Sequence, residues 1–135
     1  MTVKNAHVLV VDDEPHLCMA LRRILEKGGY QVTTTTDGQT ALEIVRESAP
    51  DIVLLDLMMP GLDGREVCRR LRESGTRAGI VYFTAKADAS DPVRLKELRG
   101  EADAILSKPA TSRQILSKVS SVLRSAGGGA RGHSA

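Results

Sequence analysis

Two kinds of segment alternate along the chain: short runs of β-branched and aliphatic residues, and longer stretches in which apolar residues recur every three or four positions. The short runs predict five strands, at residues 7–11, 31–36, 51–55, 80–84 and 104–107. The longer stretches predict a helix after each strand. Five βα units in succession favour an α/β fold with one parallel sheet, right-handed crossovers and five helices spread over its two faces.

Local signals mark where two of the helices begin. Asp91-Pro92 predicts a helix start with proline in the first turn, and Gly100 predicts the end of that helix. Thr111 and Gln114 have the spacing of a capping box, which predicts the start of the last helix. The apolar positions with helical spacing are Leu17, Leu21, Ile24, Leu25, Ala41, Leu42, Val45, Val67, Cys68, Leu71, Val93, Leu95, Leu98, Ile115, Leu116, Val119, Val122 and Leu123.

The second strand is more polar than the others. Residues 8–11, 52–55 and 80–83 are continuous apolar runs, as expected of strands covered on both sides, whereas residues 31–36 are mostly threonine. A polar strand belongs at an edge of the sheet. The doubly wound, flavodoxin-like strand order 2-1-3-4-5 places strand two there, and it predicts a ligand site at the carboxyl ends of strands one and three.

Length and composition favour a single globular domain. The chain has 135 residues, and we expect residues 1–125 to form the domain. The Gly-rich residues 126–135 carry no apolar side chain larger than alanine, so they are expected to be a linker or a disordered tail. No apolar run approaches the roughly 20 residues that span a bilayer, and the first residues lack a secretory signal. These features predict a cytoplasmic protein without a membrane anchor.

Charge and cysteine content exclude several classes of function. A net charge of +2 and an aromatic content of 2% offer little to a nucleic acid, so no direct nucleic-acid binding is expected. Cys18 and Cys68 lie within helical patterns, far apart and without clustered histidines. They are therefore interpreted as buried apolar residues and not as a disulfide or zinc ligands.

Three carboxylates follow the two strands at which a ligand is expected. Strand one ends in Asp12-Asp13 and strand three ends in Asp56. Carboxylates held close together repel one another unless a cation joins them. Oxygen-only ligation favours Mg²⁺, which commonly binds one or two carboxylates together with a phosphate group. Asp56, at the end of the central strand, is the candidate nucleophile for an aspartyl phosphate.

Thr84 and Lys108 follow the two remaining strands on the same rim of the sheet. A threonine hydroxyl and a lysine ammonium can both bind phosphoryl oxygens. A carboxylate nucleophile, a metal, a hydroxyl and a lysine together suit phosphoryl transfer, in which catalysis is mostly positioning and charge neutralisation.

Taken singly, each of these residues has an ordinary structural interpretation. Asp12-Asp13 alone is as readily a turn or a helix cap, and Lys108 before a proline is an extended dipeptide. Thr84 alone is a common strand residue. Asp63-Gly64 is interpreted only as a turn. What favours a function is convergence on one predicted rim, shared by Asp12, Asp13, Asp56, Thr84 and Lys108.

These motifs together resemble those of response-regulator receiver domains, the phosphorylation switches of two-component signalling. The resemblance covers about residues 6–124 and rests on residues 10–15 (VVDDEP), residues 54–64 (LLDLMMPGLDG), Thr84-Ala85 and Lys108-Pro109. It implies that Asp56 accepts a phosphoryl group from a histidine kinase or a phosphotransfer protein. It also implies that Asp12, Asp13, Asp56 and the backbone carbonyl of Met58 hold Mg²⁺.

The resemblance assigns further roles beside the phosphoacceptor. Thr84 and Lys108 are expected to contact the phosphoryl group, with Ala85 and position 105 taking part in the switch. Receiver domains usually have an aromatic switch residue where this chain has Ile105, so a ring-flip readout is not expected. The Lys108-Pro109 bond is expected to be cis, against the base rate of about 5 to 6% for X-Pro bonds.

Two positions depart from the family pattern, and two others bear on how long the phosphorylated form lasts. Ala110 stands where a bulky apolar residue is common, and Glu101 replaces a frequent glycine. The resemblance places Met58 and Lys86 beside the path of a hydrolytic water. Since neither can orient that water, the phosphorylated form is expected to be long-lived.

Three other functions agree less well with these motifs. Phosphatases of the dehalogenase kind carry the motif Asp-x-Asp-x-Thr after the first strand. Here Asp56 is followed by Leu57 and Met58, so the second aspartate of that motif is missing. A dinucleotide-binding module would need a Gly-rich loop after strand one. A pseudo-receiver, which shares the fold and is never phosphorylated, is the remaining alternative.

The expected protein is thus a signalling domain that catalyses only its own phosphorylation and slow autodephosphorylation. Its partners would be a histidine kinase or phosphotransfer protein, and either a downstream protein or a covalently linked output domain. A phosphorylation-dependent dimer is compatible with the resemblance. The sequence leaves open whether the chain is a stand-alone regulator or a piece of a longer protein.

Overall fold

The strands and helices follow the predicted alternation. The structure is a computed structural model that describes residues 5–127. Its elements are β1 (His7–Val11), α1 (Pro15–Lys27), β2 (Gln31–Thr35), α2 (Gly38–Ser48), β3 (Ile52–Asp56), α3 (Gly64–Glu73), β4 (Gly79–Ala85), α4 (Lys86–Ser90), α5 (Pro92–Glu101), β5 (Ala104–Lys108) and α6 (Ser112–Gly127).

The five strands form one parallel sheet in the order β2-β1-β3-β4-β5, as predicted. The polar strand β2 lies at an edge. In the register of the sheet, Val11 pairs with Leu55, and Asp56 pairs with Phe83. The residues that follow β1 therefore meet the end of β3 at one rim.

The described residues contain six helices, where the sequence predicts five. The additional helix is α4, whose five residues carry no apolar side chain larger than alanine and so have no stripe to reveal them. Asp91, in an extended conformation with φ −87° and ψ 114°, separates α4 from α5 and caps α5 with its carboxylate. Helix α5 ends at Glu101, one residue past the predicted stop at Gly100, and Val93 in its first turn is exposed.

The core has two halves, one on each face of the sheet. On one face, β1, β3, β4 and β5 pack against α1 and α6 through Val8, Val10, Cys18, Leu21, Leu25, Leu54, Val81, Phe83, Leu106, Ile115, Val119, Val122 and Leu123. On the other face, the sheet packs against α2, α3 and α5 through Leu9, Val11, Ala41, Val45, Val53, Leu55, Val67, Cys68, Leu71, Ile80, Tyr82 and Leu98. Burial of each large aliphatic side chain contributes roughly 1.5 to 3 kcal/mol, which holds the strand ends in place.

The predicted capping box at the start of α6 is present. The Thr111 hydroxyl accepts the amide hydrogen of Gln114 at 3.1 Å, and the Gln114 side chain accepts that of Thr111 at 2.9 Å. Cys18 and Cys68 are both free and buried, as predicted. No helix within residues 5–127 is long and apolar enough to cross a membrane. Of the expected tail, the first two residues belong to α6, and residues 128–135 lie outside the described residues.

The interpretation of Asp63-Gly64 as only a turn is wrong. Asp63 is the N-cap of α3, and its carboxylate accepts the amide hydrogen of Glu66 at 2.9 Å. Gly64 is the first residue of the helix, and a Cβ atom there would lie 2.2 Å from the carbonyl oxygen of Asp56. Glycine therefore lets α3 begin directly against the end of β3.

Two aspartates fasten strands at the opposite, amino end of the sheet. The Asp51 carboxylate accepts the amide hydrogen of His7 at 2.7 Å, and the Asp51 amide donates to the His7 carbonyl at 2.8 Å. Asp103 makes the same pair of contacts with Ile80, at 2.7 Å and 2.8 Å. Each aspartate thus satisfies both backbone groups of one residue at the start of β1 or in β4.

Candidate functional site

Three carboxylates meet at the carboxyl ends of β1 and β3. Ligand oxygens of Asp12, Asp13 and Asp56 all lie within 4.8 Å of one another. Asp12 and Asp56 are 1% and 3% exposed, whereas Asp13 is open to solvent. The structure therefore brings together the three acids that the sequence analysis placed on this rim.

Lys108 reaches the same cluster from the end of β5. Its Nζ lies 3.0 Å from Asp12 Oδ2 and 3.3 Å from Asp56 Oδ1. The ammonium also lies 5.2 Å from the centre of the Phe83 ring, so an aromatic face lies beside its charge. The peptide bond between Lys108 and Pro109 is cis, as expected.

Burial and the nearby charge of Asp12 disfavour the ionised form of Asp56. Desolvation and the neighbouring Asp12 charge raise the pKa of Asp56 to about 6, although Lys108 and the amide hydrogen of Met58 work in the opposite direction. Burial disfavours the charged form of Lys108, but its contacts with Asp12 and Asp56 outweigh that effect and raise its pKa. The carboxylates and the lysine are thus coupled through charge.

Backbone groups orient the two buried carboxylates. The amide hydrogen of Met58 is donated to Asp56 Oδ1 at 3.2 Å, and that of Glu14 to Asp12 Oδ1 at 2.9 Å. Cys18 packs beneath the cluster, and its thiol donates to the Asp12 carbonyl at 3.2 Å. Burial, with the nearby Asp12 charge, raises the pKa of this thiol and keeps it protonated.

The hydroxyl of Thr84 has a partner within the protein that the sequence analysis did not predict. Thr84 is fully buried near the end of β4, and its hydroxyl donates to Asp88 Oδ2 in α4 at 3.2 Å. The other oxygen of Asp88 lies 3.6 Å from Arg94 Nε in α5. The sequence analysis did not identify Asp88 or Arg94, because neither stands at a strand end or in a recognised motif.

The remaining predicted site residues surround the cluster or lie away from it. Met58 and Lys86 are both exposed, Met58 by 66% of its surface. Ala85 ends β4 and pairs with Lys108 in the sheet. Ile105 pairs with Tyr82 in the sheet and packs against the α2-α3-α5 half of the core. In this structure it is therefore a packing residue and makes no contact with the carboxylate cluster that the described residues show.

A partly buried polar network that joins β4, α3 and the end of α5 was also missed. The Tyr82 hydroxyl donates to Glu101 Oε1 at 2.8 Å, and Arg65 Nε donates to the same carboxylate at 3.0 Å. Desolvation, with contacts from Cys68 and Glu101, raises the pKa of Tyr82. Two signals pointed to this network: a tyrosine hydroxyl within the apolar run of β4, and Glu101 in place of the usual glycine.

The donor set suits a divalent cation. Asp12, Asp13 and Asp56 together carry three negative charges when ionised, and Lys108 supplies one positive charge. The residual charge of two matches Mg²⁺, which prefers carboxylate oxygens and keeps room for water and phosphate. A cluster of this kind can position an anionic phosphoryl group beside a carboxylate nucleophile.

Comparison with known proteins assigns a family to this arrangement. The family model described as "Response regulator receiver domain" matches residues 8–120. The chain is 40% identical over 120 residues to the alkaline phosphatase synthesis transcriptional regulatory protein PhoP of Bacillus subtilis, covering 89% of this chain and 49% of that protein. It is 41% identical over 117 residues to the response regulator MprA of Mycobacterium leprae, covering 87% of this chain and 50% of that protein. The chain thus spans about half the length of these relatives.

Solved structures agree in fold. The signal receiver domain of a LuxO repressor protein from Vibrio parahaemolyticus has a TM-score of 0.82 at 21% identity, with 91% of this chain and 93% of that chain covered. The response regulator TrrA from Thermotoga maritima, solved in complex with Mg²⁺ and BeF, has a TM-score of 0.76 at 31% identity, with 87% and 98% covered.

Proposed function

Because this chain belongs to the response regulator receiver domain family of two-component systems, we propose that it is a phosphorylation switch with Asp56 as its phosphoacceptor. The observation that carries the proposal is the convergence of Asp12, Asp13 and Asp56 within 4.8 Å, with Lys108 against two of them. A cluster of acids without a chemical role would be costly to assemble in a buried place.

The donor would be a phosphohistidine of a kinase or phosphotransfer protein. A carboxylate oxygen of Asp56 attacks the phosphorus, and the P–N bond breaks with its electron pair passing to the imidazole nitrogen of the donor. The nucleophile has to be ionised, and a pKa of about 6 leaves Asp56 mostly ionised near neutral pH. The amide hydrogen of Met58 holds one carboxylate oxygen and leaves the other available for attack.

Mg²⁺ would be held by Asp12, Asp13, Asp56 and the carbonyl of Met58, and when bound it supplies positive charge that offsets the negative charge of the phosphoryl oxygens. Lys108 already lies within contact distance of Asp56. Its ammonium can therefore bind a phosphoryl oxygen carried by that side chain. Thr84 is placed one residue beyond the strand partner of Asp56, from where its hydroxyl can donate to a second phosphoryl oxygen.

The output face is proposed to lie along α5, β5 and α6. A groove of about 530 Å³ on this face is lined in part by Leu95, Ile105 and Val122. Ile105 has no ring to swing, so switching is expected as backbone and packing shifts near Ala85 and Ile105. A downstream protein, a covalently linked output domain or a second copy of the chain are the partners that this face would serve.

Phosphorylation with acetyl phosphate tests the proposal directly. Incubation with Mg²⁺ should add one phosphoryl group to the wild type, located on Asp56 by peptide mass spectrometry. Asp56→Asn and chelation of Mg²⁺ should each abolish the label, whereas Asp51→Asn, an aspartate at the opposite end of the sheet, should retain it. A wild type that takes no label with Mg²⁺ would support a pseudo-receiver instead, and a label that persists in Asp56→Asn would place the phosphoacceptor elsewhere.

A further inference from the structure

The hydroxyl of Thr84 cannot serve two acceptors at once. In the present structure it donates its one hydrogen to Asp88 Oδ2 at 3.2 Å. A carboxylate accepts hydrogen bonds and offers no hydrogen, so Thr84 has to be the donor of this contact. Phosphoryl oxygens also only accept. A Thr84 hydroxyl that binds a phosphoryl group on Asp56 must therefore leave Asp88.

Asp88 is itself fixed by a second contact. Its Oδ1 lies 3.6 Å from Nε of Arg94, and both side chains are 29% exposed. Arg94 belongs to α5 and also lines a cavity of about 480 Å³ whose other wall includes Met58, two residues after Asp56. The Asp88 carboxylate thus lies between the hydroxyl of the phosphoryl site and the first turn of α5.

The segment that carries Asp88 is lightly anchored. Helix α4 has five residues, none of them buried, and its N-cap residue Ala85 makes no side-chain hydrogen bond. Thr84, by contrast, is fully buried in the sheet. When the hydroxyl turns away from Asp88, the element free to respond is therefore α4, together with the Arg94 contact to α5.

From these contacts we propose that Asp88 is a positioning residue, which holds the Thr84 hydroxyl in a phosphate-free orientation and sets the cost of its transfer to the phosphoryl group. The inference rests on the proposed function in that the competing acceptor is the phosphoryl group on Asp56. Within the part of the chain that the structure describes, release of Thr84 leaves the Asp88 carboxylate with its contact to Arg94, which links phosphorylation to the position of α4 and α5.

Beryllofluoride, used with Mg²⁺ as a phosphoryl analogue, measures the cost of that transfer. Asp88→Ala removes the competing acceptor and should tighten beryllofluoride binding about fivefold, the scale of one net hydrogen bond. Asp88→Asn keeps an acceptor oxygen and should change the affinity less. In a Thr84→Val background, Asp88→Ala should bring no further gain, because the hydroxyl is already absent.

A matched control separates this effect from surface charge. Glu97→Ala removes an exposed acid from α5 that has no contact with Thr84 among the described residues, and it should leave the affinity unchanged. An equal gain in Glu97→Ala, or a gain that persists in Thr84→Val, would overturn the proposal.

A ligand-free measurement keeps the test independent of phosphorylation. Three-bond NMR couplings should report one χ1 rotamer of Thr84 in the wild type and averaged rotamers in Asp88→Ala. Unchanged couplings would overturn the role of Asp88 even if the protein binds beryllofluoride. A wild type that binds no beryllofluoride while its couplings respond to Asp88→Ala would overturn the proposed function and retain the Asp88–Thr84 contact.

Discussion

Aspartates stand at both ends of the parallel sheet, and the two ends use them differently. At the amino end, Asp51 and Asp103 each accept one backbone amide hydrogen at 2.7 Å and act separately. At the carboxyl end, Asp12, Asp13 and Asp56 gather within 4.8 Å, and the pKa of Asp56 is raised to about 6. At the amino end, backbone N–H groups stabilise each carboxylate separately. At the carboxyl end, the three carboxylates repel one another.

The difference shows that an aspartate beside a strand is structural or reactive according to its neighbours. Asp12 and Asp56 also accept backbone amide hydrogens, at 2.9 Å and 3.2 Å, so this contact alone does not distinguish the ends. What distinguishes them is the second carboxylate and the shared lysine. The carboxyl end is expected to give up stability for the ability to bind a cation and a phosphoryl group.

Loss of a metal-binding charge should produce the largest contrast between the ends. Asp13→Ala should weaken Mg²⁺ binding by roughly tenfold or more, because the attraction of one charge for a nearby cation is on the order of 1 kcal/mol even at high dielectric and more when partly buried. Titration calorimetry measures this change. Asp51→Ala and Asp103→Ala serve as controls with unchanged affinity, and Lys108→Ala should still bind the metal. Equal Mg²⁺ affinity in Asp13→Ala and wild type would mean that the ion binds elsewhere.

Repulsion between the carboxylates at the carboxyl end should make stability depend on pH when Mg²⁺ is removed. The folded-state pKa of Asp56 is about 6 against 3.8 for the free side chain, so the folded state binds more protons between these values. The stability that Asp56 contributes is therefore fully present below about pH 4 and is lost as the pH rises through about 6. In chelator, the unfolding free energy of the wild type relative to Asp56→Asn should fall by on the order of 2 kcal/mol between pH 4 and 7. If the difference in unfolding free energy between wild type and Asp56→Asn does not change across this pH range, the raised pKa of Asp56 is wrong.

Substitution of exposed residues at the carboxyl rim should change the rate of dephosphorylation without changing stability. Met58 offers little hydrogen bonding to a hydrolytic water and Lys86 offers only donors, so the phosphorylated form should be long-lived. Met58→Asn combined with Lys86→Glu should speed dephosphorylation about tenfold, the equivalent of roughly 1.4 kcal/mol of barrier. The loss of label is followed under saturating Mg²⁺, and the melting temperature serves as the control. If the double variant loses phosphate no faster, these positions do not set the lifetime.

The amino end should show the reverse behaviour, with a small loss of stability and intact chemistry. Asp103→Ala removes the acceptor of the Ile80 amide hydrogen, a contact made at 2.7 Å, and should lower the unfolding free energy by about 1 kcal/mol. Urea denaturation measures the loss, while labelling of Asp56 should remain. Asp13→Ala, which removes an exposed carboxylate from the other end, is the matched variant expected to keep its stability.

A long separation along the chain in one case, and a short helix without an apolar stripe in the other, explain why part of the site escaped prediction. The Arg65–Glu101 contact joins residues 36 positions apart, and the Thr84–Asp88 contact depends on a five-residue helix without an apolar stripe. Arg65 and Glu101 meet only after the helices have packed on the sheet, whereas Asp88 is only four residues from Thr84 and carries no periodic or motif-like signal. The need for glycine at position 64 arises only in the folded chain, from the Asp56 carbonyl oxygen 2.2 Å from the position of a Cβ atom. The Asp63 cap, by contrast, is a local contact with Glu66 that the sequence analysis overlooked.

The sequence by itself determined the order of the strands, the edge position of β2 and the rim on which Asp12, Asp13, Asp56, Thr84 and Lys108 lie. Hydrophobic periodicity and caps are properties of neighbouring residues, and parallel pairing obliges all strand ends to share one rim. Only the tertiary structure decided which groups touch: Lys108 with two carboxylates, and Thr84 with Asp88. Such contacts depend on side-chain rotamers and on the ångström-scale placement of helices, which the packing of the whole core sets even where, as with Thr84 and Asp88, the partners are four residues apart.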